Sequence, residues 1–553
     1  MNAFRHPVTL LAVVLLTVGA AACNFQPIPP TPPETPTTVR VALAQGSPVP
    51  TLDMSGNRVL QSVSTQAAAD PPAITAQVTD SSAAPTETIE SICAGSGAAL
   101  PIAHQVTGVV DYAAKRVDVA HTITLYNRTS SAFADLVVNL EPNRYANVVT
   151  MGDVRVEMLD PNLNLRAEAY ELTGRRLLID LNEPLPPGCG VTIQLGYALA
   201  VQPVGAGLNA LTGYFGYTMR QMNLGHWLAT MAVRRGDRWV SHDAISIGEQ
   251  IVADAADWDV TLQVNNAPPN LTVAAPGTVT RPDGNTWRFI LPHARELAIS
   301  LSDQFNVTLQ DAADGTIIEL YSFRDSLSQT DNGAVDGAGH ALLAAGRSLA
   351  MYSDLFGPYP YARLAVVEGD FADGMEFTGL VFVGRDWFRG YTGDPGSYLT
   401  IITVHEVAHQ WWYARVGNDQ ALTPWLDEAL ATYSEYIFFE EYYPELRDWW
   451  WSFRVDSFVR SQADYIAAPV DSPVYTFLTV RQYINAVYLR GARMLHALRD
   501  DLGTDPFFDW LRRYAEAGSD RVVGPDVFWT LLTPEQLELT RETRQTYLSD
   551  VDY

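Results

Sequence analysis

Between residues 101 and 305, apolar and polar side chains alternate with the two-residue period of a half-buried strand. Val117-Asp118-Val119-Ala120-His121-Thr122-Ile123-Thr124-Leu125 and Trp258-Asp259-Val260-Thr261-Leu262-Gln263-Val264 are the clearest runs. Turn residues such as Pro186-Pro187-Gly188 and Pro282-Asp283-Gly284 punctuate them, and the whole predicts an all-β domain. After Gly333 the helical period dominates, interrupted by apolar runs at 364–368 and 380–383 that predict a small mixed sheet. Residues 401–412 contain neither Gly nor Pro and lie between Pro395-Gly396 and Gly417-Asn418-Asp419, which predicts one buried helix. A second helix is expected from Thr423-Pro424, with Thr423 as N-cap and Pro424 in the first turn, where its missing N–H costs nothing. Leu426, Leu430, Tyr433 and Ile437 form its core stripe. Val487, Gly491, Met494 and Leu498 form another, and the chain beyond Tyr488 suffices for two or three helices.

The first hundred residues have no such pattern. Arg5 and His6 precede an apolar run over residues 8–22 that ends Ala20-Ala21-Ala22-Cys23, a signal-peptide core and cleavage site too short to span a membrane. The Ala-Ala-Ala-Cys junction resembles a bacterial lipobox, in which Cys23 is acylated and tethers the mature chain to the outer face of the membrane; plain secretion is the alternative. From Cys23 to about residue 100, Pro, Ala, Ser and Thr dominate, as in an extended linker. With Cys23 set aside, Cys93 and Cys189 remain as an even pair, either a disulfide of an exported protein or two buried thiols. A hydrophobic content of 47% supports cores in two domains, and a net charge of −27 excludes nucleic acid as a partner. That charge favours cationic peptides. No obligate protein partner is inferred.

His405-Glu406-Val407-Ala408-His409 carries the chemistry. Histidines four apart on a helix are related by about 400° of rotation, so both imidazoles leave one face and can bind one metal ion. Eighteen residues separate His409 from Glu428, in Trp425-Leu426-Asp427-Glu428-Ala429. Two His and one Glu are an established ligand set for a single catalytic Zn2+, with a fourth position left for water. Glu435, seven residues beyond Glu428, shares a neighbouring helix face and is placed to accept a hydrogen bond from a ligand imidazole.

HExxH followed by Glu in a WLxE segment resembles the gluzincin metallopeptidases of the aminopeptidase N family, also called membrane alanyl aminopeptidases. Gly374-Met375-Glu376-Phe377 stands where that family has GxMEN, and Tyr488-Leu489-Arg490-Gly491-Ala492 where it has YxKG. The resemblance implies an α+β multidomain fold. Residues 1–22 would be a signal peptide and 23–100 a lipid-anchored linker. A saddle-like all-β domain would occupy 101–305, and a thermolysin-like (zincin), mostly helical catalytic domain 306–553, with no large C-terminal helical domain. It implies Glu406 as general base, Tyr488 as donor to the oxyanion, and Gly374, Met375 and Glu376 at the substrate, with Glu376 on its free α-amine. The sequence departs from the family in Phe377 for Asn and Arg490 for Lys. The nearest match to the family's Q-x-E segment is Gln221-Met222-Asn223, whose Asn223 carries no charge.

The expected function is therefore an exported zinc metallopeptidase, an aminopeptidase acting on peptide N-termini. A zinc endopeptidase, or another hydrolase such as one opening epoxides, is the alternative on the same site. A non-catalytic binding or scaffold lipoprotein is the alternative of another class. Retention of His405, Glu406, His409, Glu428 and Tyr488 together argues against that last reading.

Overall fold

The alternating region folds into strands whose apolar positions face inward. Its main sheet has seven strands, in the spatial order Thr278–Asp283, Thr286–Ala294, Ala256–Asn265, Ile102–Asp111, Arg116–Tyr126, Gly190–Ala200 and Val149–Met158. All neighbours are antiparallel except Ala256–Asn265 with Ile102–Asp111. Val106, Val110, Val117, Val119 and Ile123 are buried at two-residue intervals along the central strands, as the pattern requires. The computed structural model describes residues 39–42, 93, 100–160, 164–205, 213–312, 314–330, 333–459 and 468–550. The expected signal peptide, Cys23 and the Pro-rich run after it lie outside the described residues.

Two features fall inside the stretch expected to be linker. Val39–Ala42 is a strand, paired antiparallel with Ala167–Thr173, and Cys93 is disulfide-bonded to Cys189. Val39 and Val41 alternate with Arg40, a short strand pattern that the surrounding Pro, Ser and Thr obscure.

The second half opens on a five-stranded mixed sheet, ordered Phe305–Asp311, Ile317–Phe323, Arg363–Gly369, Leu380–Gly384, Gly374–Met375. The two-residue strand Gly374–Met375 forms its edge, antiparallel to Leu380–Gly384. Helix Gly337–Phe356, capped by the Asp336 side chain on Gly339 N–H, packs beside helix Tyr398–Ala408, and the latter beside helix Trp425–Tyr442. Tyr352 fixes the register of all three, because its buried hydroxyl lies 3.3 Å from the Val404 carbonyl and 3.0 Å from that of Ser434.

Three expectations are corrected here. Residues 401–412 are not one helix: regular helix ends at Ala408, and Trp412 (φ −96°, ψ 55°) and Tyr413 (φ 167°, ψ −67°) leave the helical region. Thr423 does not cap the next helix; its hydroxyl bonds the Asp419 carbonyl, and Pro424 takes the cap position. After Tyr488 the described residues form five helices, Arg490–Leu502, Thr504–Ala517, Pro525–Thr530, Pro534–Leu539 and Arg541–Tyr547, rather than two or three. Three of these are only six or seven residues long, too short for periodicity to reveal.

The β-rich and helical parts share one contiguous apolar core, running from Ile102 to Leu548. Polar ties reinforce it. The Gln221 amide donates to the Glu368 carbonyl and accepts from Asp370 N–H, and Arg220 pairs with Asp370 and Asp325. No helix among the described residues is long and apolar enough to cross a membrane.

Candidate active site

Helix Tyr398–Ala408 begins at Ser397, whose side chain accepts from Thr400 N–H, and every residue from Leu399 to Ala408 is buried. Its last turn presents His405 and His409 on one face. Their Nε2 atoms lie 3.1 Å apart, and Glu428 Oε2 lies 3.3 Å from the first and 3.5 Å from the second. Three ligand atoms about 2.0–2.1 Å from a tetrahedral centre are separated by about 3.3 Å, so the triangle has the dimensions of a zinc site. Glu428 Oε2 is buried and meets no donor with hydrogen-bond geometry, which is the state of an atom oriented for a cation. The donors fit one zinc ion.

Each imidazole is fixed from behind. His409 Nδ1 lies 3.0 Å from the Trp412 carbonyl, which the break at Trp412 and Tyr413 turns back toward the helix; Ala414 N–H closes the turn on the His409 carbonyl. The break thereby sets the tautomer of His409 and leaves Nε2 facing the triangle. His405 Nδ1 lies 2.8 Å from Glu435 Oε1. Glu435 is fully buried and held by two bonds from Arg454 and one from the Trp450 indole. Burial opposes protonation of His405, but the neighbouring Glu428 and Glu435 carboxylates outweigh it and hold its pKa up at about 9. Burial would raise Glu428, yet the two imidazoles hold it below the carboxylate range.

Glu406 sits on the adjacent face, with Oε2 buried and unpartnered. Burial pushes its pKa well up, and His405 and His409 pull it back. Gly374 packs directly on it: a Cβ added there would stand 2.0 Å from Glu406 Oε1. Donor atoms of Glu376, Glu406 and His409 lie within 4.8 Å of one another. Gln420 reaches Glu376 Oε1 at 3.3 Å. Met375 is buried beside them in the edge strand.

Tyr488 belongs to a wide helical turn, Ile484–Leu489, that runs into helix Arg490–Leu502. Its ring stacks parallel to His405 with centroids 5.9 Å apart, and burial together with the charge of Glu428 pushes its pKa well up. It is half-buried. Gly491 allows this placement: a Cβ there would come 2.4 Å from Ala429 Cβ, on the helix that carries Glu428.

The two departures from the family pattern lie away from this chemistry. Phe377 is fully buried edge-on to His226 and Tyr214 of the β-rich part. Arg490 donates to the Ala468 and Thr546 carbonyls and covers the Tyr547 ring. Gln221 and Asn223 are consumed by structural bonds; Asn223 joins the Gly213 carbonyl and Ser300.

Several residues of the site carry no local signal. Gln410 ties Gly379 N–H and the Phe377 carbonyl to the zinc helix, which positions the edge strand. From the β-rich part, Glu296 accepts from Thr378 N–H and from the Tyr413 hydroxyl, while Arg295 donates to the Tyr413, Ala253, Arg415 and Arg521 carbonyls. Burial, and then the charges of Glu376, Glu428 and Asp427, push the pKa of Glu249 well up. Only the adjacent Arg295-Glu296 pair in an otherwise apolar stretch hints at any of this.

Residues 340–545 match the Peptidase family M1 domain. Endoplasmic reticulum aminopeptidase 2 of Bos taurus is 29% identical over 237 residues, covering 41% of this chain and 24% of that protein. Endoplasmic reticulum aminopeptidase 1 of Mus musculus is 29% identical over 247 residues, 42% of this chain and 25% of that protein. The chain therefore spans about a quarter of the length of these curated relatives. The crystal structure of an M1 zinc metallopeptidase from Deinococcus radiodurans has the same fold, a β-rich region followed by a helical one. It aligns with a TM-score of 0.56 at 19% identity, covering 81% of this chain and 94% of that one.

Proposed function

With residues 340–545 as an M1 peptidase domain, we propose that the protein is a zinc-dependent aminopeptidase, removing N-terminal residues from peptides. The observation that carries this reading is the clustering of Glu376, Glu406 and His409 donor atoms within 4.8 Å. A carboxylate that close to the general base and the metal face leaves room for one residue between the bound amine and the scissile bond. That geometry supports an exopeptidase reading over an endopeptidase one.

Zinc, held by His405, His409 and Glu428, supplies an acidified water and a polarised carbonyl when bound. Glu406 takes the proton of the attacking water and passes it to the leaving amine. Tyr488 donates a hydrogen bond from its phenolic O–H to the oxyanion as charge develops there. Glu376 pairs with the substrate α-ammonium, and the Gly374–Met375 edge strand offers its free side to the extended peptide backbone. The fold assignment that goes with this reading is a saddle-like β domain over a thermolysin-like catalytic domain. The apolar run at residues 8–22, Cys23 and the Cys93–Cys189 disulfide support an exported lipoprotein anchored outside the cell membrane.

The test is kcat/KM on one peptide with its N-terminus free and acetylated. Acetylation removes the charge and leaves Glu376 desolvated without a cationic partner, so a drop of on the order of 10² or more is expected, abolished in Glu376→Ala. Equal values for both forms would replace the aminopeptidase reading with the endopeptidase one.

A further inference from the structure

Glu296 is a buried carboxylate of the β-rich part, with no ion pair among the described residues, and its two oxygens reach two different segments of the site. Oε1 accepts from Thr378 N–H at 2.8 Å, and Oε2 accepts from the Tyr413 hydroxyl. Thr378 and Tyr413 are buried as well. The adjacent Arg295 is spent elsewhere, since its guanidinium donates to the Tyr413, Ala253, Arg415 and Arg521 carbonyls. Burying a carboxylate without a cation costs stability, and an interface built for stability alone is served as well by an apolar side chain.

Each contact leads to a different reactive group. Thr378 lies two residues after Glu376. The zinc-helix side holds that segment through Gln410, which donates to the Phe377 carbonyl at 3.1 Å and accepts from Gly379 N–H at 2.8 Å. Glu296 holds it from the β-rich side, where Arg295 N–H adds a longer bond of 3.4 Å to the Thr378 hydroxyl. Tyr413 is gripped at both ends, its hydroxyl by Glu296 and its carbonyl by Arg295. The peptide before it carries the Trp412 carbonyl, 3.0 Å from Nδ1 of His409. One carboxylate thus stands behind the segment that carries Glu376 and behind the turn that orients a zinc ligand. Donor atoms of Glu376 and His409 lie within 4.8 Å of one another, so a small displacement of either support changes the spacing on which removal of a single residue depends.

We propose that Glu296 is a positioning residue that sets the distance between the amine-binding carboxylate and the metal face, so that the β-rich part dictates the cleavage register of the helical part. A carboxylate suits the task because it accepts from both donors at once, and a charged acceptor holds each more strongly than a neutral one. The amine branch of the role rests on the aminopeptidase reading above; the metal branch does not.

The experiment takes the zinc-loaded full chain and measures two quantities. One is the ratio of kcat/KM for a peptide with its N-terminus free and acetylated, and the other is the rate at which zinc passes to a chelator. Glu296→Ala removes both bonds, and should lower the ratio by on the order of 10-fold and speed zinc release by a similar factor. Glu296→Gln keeps the shape and the acceptor for Thr378 N–H, so it should stay near the wild type in both. Glu296→Asp is one methylene too short to span the two donors and should show both losses, which keeps the test decisive where Glu296→Ala does not fold. Tyr413→Phe cuts the metal branch alone, so zinc release should quicken while the ratio holds. Wild-type values of both quantities in Glu296→Ala or Glu296→Asp overturn the proposal, whatever happens to the melting temperature. A change in only one of the two does so too, because it severs the link. Loss of the ratio in Tyr413→Phe would assign the amine branch to the helix break instead of Glu296. A wild-type ratio near one would overturn the aminopeptidase reading, an outcome told apart because the zinc-release rates do not depend on it.

Discussion

At the residue scale, two of the smallest changes separate binding from catalysis. Glu406→Gln keeps the volume and the three ligands but removes the proton acceptor. Zinc content should stay at one per chain while kcat falls by on the order of 10³. Gly374→Ala reaches a similar end by another route. A Cβ 2.0 Å from Glu406 Oε1 must displace the carboxylate or the edge strand. Neither His405 nor His409 is touched, so metal should again be retained, with kcat reduced and no loss of folded protein by circular dichroism. Metal loss in Gly374→Ala would mean that the strand and the zinc helix move together and that Gly374 serves packing rather than the base. The family resemblance implies Gly374 as a substrate contact; the structure adds that it also leaves the space Glu406 occupies.

At the scale of elements, what was legible depended on where the determining contact lies. The strand alternation from Val117 to Leu125 and the stripe Leu426, Leu430, Tyr433, Ile437 are local, and both are buried as their spacing requires. The end of the zinc helix is not local. The bend at Trp412 is stabilised from outside, by Arg295 on the Tyr413 carbonyl and Glu296 on its hydroxyl, residues more than a hundred positions away. Nothing in Gln410-Trp411-Trp412-Tyr413 announces a break, since none of these is Gly or Pro. Arg490, read as a departure from a family lysine, turns out to clamp the C-terminal helices through the Ala468 and Thr546 carbonyls. Gly491 shows the same dependence on a distant partner, because its function is to let helix Arg490–Leu502 approach Ala429. Gly491→Ala must separate the two helices or strain them, at a cost of about 1–3 kcal/mol. The separation moves Tyr488 away from Glu428, so kcat should fall more than KM rises, alongside a lower melting temperature. A variant that loses stability but keeps wild-type kcat would show that Tyr488 is positioned by the wide turn alone.

At the scale of the whole molecule, the β-rich half supports the reaction as a solid body. Arg295 and Glu296 hold the zinc-helix break, so loosening the seven-stranded sheet loosens the site. That sheet contains a titratable weak point. His104 and His121 are buried on adjacent strands, with His104 Nδ1 2.9 Å from His121 Nε2, and His104 stacks on Trp258 at 3.7 Å. Burial is the main reason both stay neutral: it lowers the His121 pKa to about 3 and that of His104 well below 6.5, where the charge of His121 adds to the effect. A group whose folded pKa is depressed contributes its stability fully above the unfolded pKa and loses it as pH falls toward the folded one. For this pair the window opens at about pH 6.5 and extends toward pH 3, with up to about 1.4 kcal/mol lost per pH unit for each histidine that the unfolded chain protonates first. The double variant His104→Leu, His121→Leu removes both members, so neither polar atom is left buried alone. Thermal or denaturant unfolding measured from pH 7 to pH 4 should therefore show a steeper loss in the wild type than in the double variant. The carboxylates common to both proteins cancel in that difference. Parallel curves would mean that the imidazoles titrate normally in the folded protein and that the sheet opens enough to hydrate them.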